Sequence, residues 1–257
     1  MLNATIDGLF ADAAQAYPGR TFLYQIVDGR PARIRYRDAL LRVAATCDAL
    51  RAHGLTPGDR VVLHLDDQVE LVFFLIAAAA CGQIVVPVPP TFSTDMVRRV
   101  MARVAARDVF STVELAPDLV AAGIAPLCFV DGAPPAGVRA LPVRGPMPSG
   151  DALATLRRAG AGHTWSDPYI ILSTSGTTSE PKLVVRPHTS VTSLGFHMAL
   201  GLRAHDEPVQ RVLMAAGLNH GIGQANLALA LFLAAEQAVP SRIEAEVALD
   251  EVRRLDP

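Results

Sequence analysis

Lys182 is the only lysine in a chain of 257 residues that holds 22 arginines, and it closes the segment Thr174-Ser175-Gly176-Thr177-Thr178-Ser179-Glu180-Pro181-Lys182. Five hydroxyls, a glycine and an ammonium in nine residues suit the oxygens of a polyphosphate. Glycine lets backbone N–H groups turn toward an anion. The hydroxyls add short donors, and lysine adds a compact, mobile positive charge. A solvated Ser/Thr-rich turn between two strands is the plain alternative. The spacing excludes a Walker A loop, because Gly176 lies six residues before Lys182, Pro181 precedes the lysine and Leu183 follows it. No Gly-x-Gly-x-x-Gly follows an early strand; Gly221-Ile222-Gly223 is only a fragment of that dinucleotide fingerprint.

The other reactive side chains make a weaker set. Among seven histidines, His220 stands out because Gly221 and Gly223 follow it; its imidazole either shapes a pocket wall or caps the helix that follows. His188 reads as structural, and His197 as a core histidine of an apolar helix. No Gly-x-Ser-x-Gly elbow occurs, which disfavours a hydrolase. No His, Cys or Asp cluster has metal-ligand spacing, so no metal ligand is assigned, and no catalytic residue is assigned either.

These residues must be carried by a scaffold, and its periodicity is readable. Residues 36–52 place Leu40, Val43, Ala44, Cys47 and Leu50 on one helical face, with Gly54 as a stop. Strands are expected at 60–65, 84–88, 109–113, 127–130, 169–172, 183–185 and 211–215. Helices are expected at 69–81, after Ser93, between the strands at 109 and 127, and at 190–202, 221–235 and 244–255. Residues 131–150, with five prolines and four glycines, read as a connector. Such alternation predicts an α/β fold, mostly parallel sheets flanked by helices. It is divided here into a first subdomain over 1–150 and a second from 151 to 257.

Composition bounds the function. A net charge of −2 and a pI near 6.4 give no basic face for nucleic acid. The longest apolar run, Leu71 to Cys81, is too short for a membrane span of about 20 residues. Three scattered cysteines and the lack of an export signal predict a reducing, cytoplasmic setting.

The segment from Ser173 to Lys182 resembles the phosphate-binding signature of the adenylate-forming superfamily: acyl-CoA synthetases, fatty-acyl-AMP ligases and nonribosomal peptide synthetase adenylation domains. Ile34 to Leu40, Ala80 to Pro90, Arg186-Pro187-His188 and Asn219 to Gly223 resemble further family elements in the right order. The resemblance implies the large N-terminal domain of such an enzyme, ending before its close and without the small C-terminal domain. It implies that Thr174, Ser175, Gly176, Thr177, Thr178, Ser179 and Lys182 bind ATP, with Mg2+ arriving on the nucleotide. His220, Gly221 and Gly223 would then contact the acid. A carboxylic acid, acyl in preference to amino acid, and coenzyme A or an acyl carrier protein are the implied partners. Ser179 and Leu183 stand where the family usually has glycine, and no Tyr-Gly-x-Thr-Glu or Thr-Gly-Asp segment occurs. The chain therefore reads as the front part of a ligase, expected to be inactive by itself. The alternative is a non-catalytic nucleotide- or acyl-binding module or an inert fragment.

Overall fold

The computed structural model describes residues 4–27, 30–130, 133–142, 151–174, 182–202 and 211–240, together with residues 246 and 253. In chain order the first elements are α1 (Ile6–Ala16), β1 (Thr21–Val27), β2 (Arg30–Arg35), α2 (Tyr36–Ala52), β3 (Arg60–His64), α3 (Gln68–Ala80) and β4 (Ile84–Pro87). There follow α4 (Thr94–Val104), β5 (Asp108–Ser111), α5 (Ala116–Ala121), β6 (Leu127–Val130), β7 (Arg139–Pro142) and α6 (Ala152–Gly160). The last are β8 (Pro168–Thr174), β9 (Lys182–Pro187), α7 (His188–Gly201), β10 (Arg211–Leu213), α8 (Gly221–Leu233) and β11 (Glu236–Val239).

Among the described residues the strands form two mixed sheets. One runs β7-β6-β5-β3-β4-β8-β9, parallel throughout except for the antiparallel edge strand β9. The other runs β10-β11-β1-β2, with β2 antiparallel. Each sheet takes strands from both sides of residue 150, so strand pairing runs across the boundary drawn from the connector.

Alternation along the central strands divides the core. Val61 and Leu63 of β3, Val85 of β4, and Ile170 and Leu172 of β8 join one cluster with residues of α1, α2, α3 and α8. Their neighbours Val62, Val86 and Ile171 point the other way, onto Val97, Val100 and Val104 of α4 and Leu119 of α5. A strand covered on both faces reads as a continuous apolar run, which is why these strands are Val- and Ile-rich. The first cluster also includes Phe22 and Leu23 of β1 and Val239 of β11, so the helices join the two sheets in one core. Helix α3 is apolar all round: its residues from Leu71 to Ala80 are all buried.

The differences from the sequence reading have local causes. Helix α8 stops at Leu233 because Ala234 takes a left-handed conformation (φ 47°), and residues 236–239 then pair with β1, where a helix to 235 was expected. The connector over 131–150 contains β7, which pairs with β6 despite the prolines around it. Elements α1, β1, β2, α6 and β11 had no counterpart in the periodicity. The helix expected over 244–255 lies outside the described residues, apart from Glu246 and Arg253.

Helices α7 and α8 touch through a glycine. A Cβ on Gly195 would stand 2.7 Å from the Leu229 backbone N and 2.8 Å from the Ala228 Cβ. We expect Gly195→Ala to cost about 1–3 kcal/mol in urea unfolding, since backbone must shift to make room. Gly201, the last residue of α7, faces nothing within 4 Å. Gly201→Ala is expected to be neutral or stabilising by up to about 1 kcal/mol.

Candidate functional site

Strand β8 runs parallel to β4 and ends at Thr174, so it finishes on the same sheet edge as the carboxyl ends of β3, β4 and β5. Strand β9 returns beside it, with Thr174 and Lys182 as Cα partners. The ribbon thus sets Lys182, which is exposed, across from the last residue of β8. Ser175, Gly176, Thr177, Thr178 and Ser179 lie outside the described residues. Leu183, where the resembling family has glycine, pairs with Ser173 and packs onto the cluster containing Val62, Val86 and Ile171. Its side chain is used in packing, which a glycine could not supply.

On this edge lies a cleft of about 1150 Å³. Residues 65–68 follow β3, Pro90 and Thr91 follow β4, Ser111 to Glu114 end and follow β5, and residues 215–217, Asn219 and His220 follow β10. The chain steps from β3 to β4 on one side and then crosses back, through α4, to β5 on the other side of β3. Open α/β sheets place ligands at such switch points. The walls come from both sheets, because Pro240 follows β11.

Two helices begin at the cleft, and they are furnished differently. At α3 the Asp67 carboxylate accepts from the Val69 and Glu70 N–H groups, at 2.8 and 3.1 Å, and Glu70 adds an acid to the first turn. At α8 the N-cap is His220, whose side chain makes no capping bond, and the first turn carries no acid. His220 is exposed and lines the cleft, so of the two sequence expectations the imidazole is available to the pocket. Gly221 and Gly223 do not line it. A Cβ on Gly223 would meet the Gly217 carbonyl oxygen at 2.2 Å, so that glycine lets α8 lie directly on the loop 215–217.

That loop is held by two side chains that sequence reasoning passed over. Gln68 Oε1 accepts from the Leu218 N–H at 3.1 Å, and Gln224 Nε2 donates to the Leu218 carbonyl. Gln224 is fully buried, and its Oε1 accepts from the Tyr169 hydroxyl at 3.3 Å. A glutamine inside an apolar helix was the available signal, because burying an amide requires partners for it.

A separate polar cluster ties down the amino terminus. Asp7 Oδ1 lies 3.2 Å from His163 Nε2, and His188 Nδ1 accepts from the Ile6 N–H at 3.3 Å. The His163 and His188 rings stack at 5.2 Å, and Tyr169 stacks on His188 at 4.7 Å. Among the described residues this is the one set of three metal-ligand side chains brought close together. Stacked rings, however, aim their in-plane nitrogen lone pairs along parallel planes, and His188 Nδ1 is already engaged, so the geometry suits packing better than a shared ion. Burial drives the His188 pKa down to about 4. The hydrogen bond that His163 donates to the Asp7 carboxylate raises the pKa of that imidazole, with burial opposing it. For Asp7 burial pushes upward, but the bond to His163 and its charge outweigh it and the pKa is lowered.

Residues 10–257 match the AMP-binding enzyme family, and the chain belongs to it. It is 28% identical over 239 residues to a salicyl-AMP ligase / salicyl-S-ArCP synthetase of Mycobacterium tuberculosis, covering 84% of this chain and 39% of that protein. It is 28% identical over 218 residues to a crotonobetaine/carnitine–CoA ligase of Escherichia coli, covering 81% and 41%. The chain thus spans about two-fifths of the length of these curated relatives. Among solved structures, the nonribosomal peptide synthetase FmoA3 superposes with a TM-score of 0.75 at 20% identity, covering 99% of this chain and 25% of that one. The N-terminal subdomain of Klebsiella oxytoca NpsA superposes at 0.68 with 23% identity, covering 97% and 57%. The fold is that of the N-terminal domain of adenylate-forming enzymes, as the sequence implied. Among the described residues no helix is long and apolar enough to cross a membrane.

Gln224→Leu is expected to cost about 1–3 kcal/mol in urea unfolding, because it leaves the Leu218 carbonyl and the Tyr169 hydroxyl without their partner. The histidines predict a stability profile in pH. Between pH 6.5 and about 4 the unfolded chain takes up a proton that folded His188 refuses, so stability falls on acidification. His163 contributes fully below 6.5, and its contribution is lost as pH rises through its elevated folded value. His188→Gln should flatten the acid limb and His163→Gln the alkaline limb; profiles unchanged in both variants would refute this assignment.

Proposed function

We propose that this chain is the nucleotide- and acid-binding N-terminal part of an ATP-dependent carboxylate-activating ligase. The observation that carries the reading is the meeting of two features on one sheet edge: the β8–β9 ribbon ending in Thr174 and Lys182, and the cleft beside the open start of α8. In this reading Thr174, Ser175, Gly176, Thr177, Thr178, Ser179 and Lys182 grip the β- and γ-phosphates. The substrate carboxylate attacks the α-phosphorus of ATP, the bond from that phosphorus to the bridging oxygen breaks, and pyrophosphate leaves as the acyl-adenylate forms. Donors and an ammonium placed around the leaving group stabilise the charge that builds on it. Magnesium, bound to the nucleotide, would neutralise phosphate charge. His220 and the uncompensated N–H groups at the start of α8 hold the carboxylate, while Gly223 keeps that helix end close to the loop.

A thiol, on coenzyme A or an acyl carrier protein, then takes the acyl group. The relatives' names cover a salicyl acid and crotonobetaine/carnitine, so the acid is left here as a carboxylate of undetermined side chain. Three free, buried cysteines suit a reducing cytoplasm. A second reading is a module that binds the nucleotide or the acid without turnover.

Lys182→Ala should weaken Mg-ATP binding about 10- to 100-fold in calorimetry, the scale of a lost charge-assisted hydrogen bond, and leave carboxylate binding unchanged. Equal Mg-ATP affinity in the two proteins would remove the loop assignment. Pyrophosphate exchange in a protein that carries the missing Tyr-Gly-x-Thr-Glu and Thr-Gly-Asp segments distinguishes the readings: exchange into ATP supports the ligase, and Mg-ATP binding without exchange supports the binding module.

A further inference from the structure

Two of the three cysteines meet in the core. Cys47 lies on α2, and Cys81 caps the carboxyl end of α3, 34 residues further on. The Cys47 Sγ is 3.6 Å from the carbonyl oxygen of Ala77, one turn before Cys81. The Cys81 Sγ is 3.9 Å from the carbonyl oxygen of Cys47 itself. Each sulfur thus reaches the backbone beside the other, and the two thiols are in hydrogen-bond contact.

The two are not equivalent. Cys47 is fully buried, whereas Cys81 keeps 6% of its surface exposed. Their hydrogen bond holds the Cys81 thiol below the ordinary thiol range and, together with burial, pushes the Cys47 thiol well above it. Cys81 is therefore the better nucleophile and the one a small oxidant reaches first, while Cys47 keeps its proton.

Cys128 supplies the contrast. It packs in a separate cluster with Ala116 and Val138, its Sγ is 3.7 Å from the Thr112 carbonyl oxygen, and burial pushes its thiol up to about 11. Cys47 and Cys81 both belong to the main core cluster. Cysteines that serve only as small hydrophobes are inert, as Cys128 is expected to be. Two sulfurs in contact can be joined.

We propose that Cys47 and Cys81 are a modification site, a dithiol that a hydroperoxide converts into an intramolecular disulfide clamping α2 to the end of α3. The Cys81 thiolate attacks one peroxide oxygen, the O–O bond breaks, and the departing hydroxide takes up a proton as water, leaving a sulfenic acid. The Cys47 sulfur then attacks the Cys81 sulfur. The S–O bond breaks, and hydroxide leaves with the Cys47 proton as a second water. Two thiols lose two hydrogens, and the peroxide is reduced to two waters. Thiol exchange reverses the step in a reducing setting. The clamp closes at one end of α3, whose other end carries Gln68 and, through it, the loop at Leu218. It is independent of the ligase reading.

The test is thiol and mass analysis of the 257-residue chain, reduced, freed of reductant and exposed to hydrogen peroxide. Thiols titrated in denaturant should fall from three to one, with a mass loss of two hydrogens, and dithiothreitol should restore all three. A non-reduced tryptic digest should contain two peptides joined through Cys47 and Cys81. The oxidised chain should melt about 5 °C or more above the reduced one, because the bond closes a loop of 34 residues in the unfolded state. In Cys47→Ser the reaction should stop at a Cys81 sulfenic acid that dimedone traps. Cys128→Ser, which leaves the pair untouched, should crosslink as the wild type does. Three thiols surviving a peroxide dose that oxidises free cysteine, oxidation confined to Cys128, or sulfinic acid at Cys81 without a crosslink would each overturn the proposal. So would a disulfide between two chains, or a melting temperature that the crosslink leaves unchanged or lowers.

Discussion

The backbone of Leu218 lies in the turn between β10 and α8, outside both sheets, and the cleft depends on how that amide is satisfied. Its N–H is taken by Gln68, the first residue of α3, and its carbonyl by Gln224, one turn into α8. An unsatisfied buried peptide group costs enough to reshape a loop, so these two glutamines fix where the chain passes between β10 and α8. Gln68 follows a strand of the larger sheet, and Leu218 follows a strand of the smaller one. A pair of side-chain amides therefore links the carboxyl edges of both sheets at the place where the cleft opens. Tyr169 continues the chain of contacts into β8, which ends at Thr174, the first residue of the hydroxyl-rich segment. The cleft and the β8–β9 ribbon share one set of buried hydrogen bonds.

Much of the scaffold could be read from pattern, because strong periodicity marks elements packed on a single core. Helix α2 falls on residues 36–52 as the spacing of Val43, Cys47 and Leu50 requires, and β6 falls on 127–130. Pattern was weakest where pairing, not propensity, decides. Residues 236–239 form β11 because β1 waits in parallel beside them, a partner more than two hundred residues earlier. The sequence there, Glu-Gln-Ala-Val, carries no strand signature of its own.

The site divides along the same line. Lys182 and the hydroxyl run announce themselves by composition, and His220 by its flanking glycines. Gln68 and Gln224 act through burial and neighbours in space, and nothing in their spacing reveals that. Gly223 was legible as a glycine beside the pocket, but its use is steric: it admits the Gly217 carbonyl to the first turn of α8. The contrast between α3 and α8 is similar in kind. One helix start is neutralised by Asp67 and Glu70 and the other carries no acid and no capping bond, within a single crevice.

A chain with one ε-amine, exposed at the first residue of β9, has an unusual chemical simplicity. Within these 257 residues acylating reagents find a single side-chain amine, that of Lys182. Mass shifts after brief labelling can then be assigned by a single proteolytic cut. Acetylation at that one position would remove every side-chain amine of these 257 residues while leaving their 22 guanidinium groups untouched.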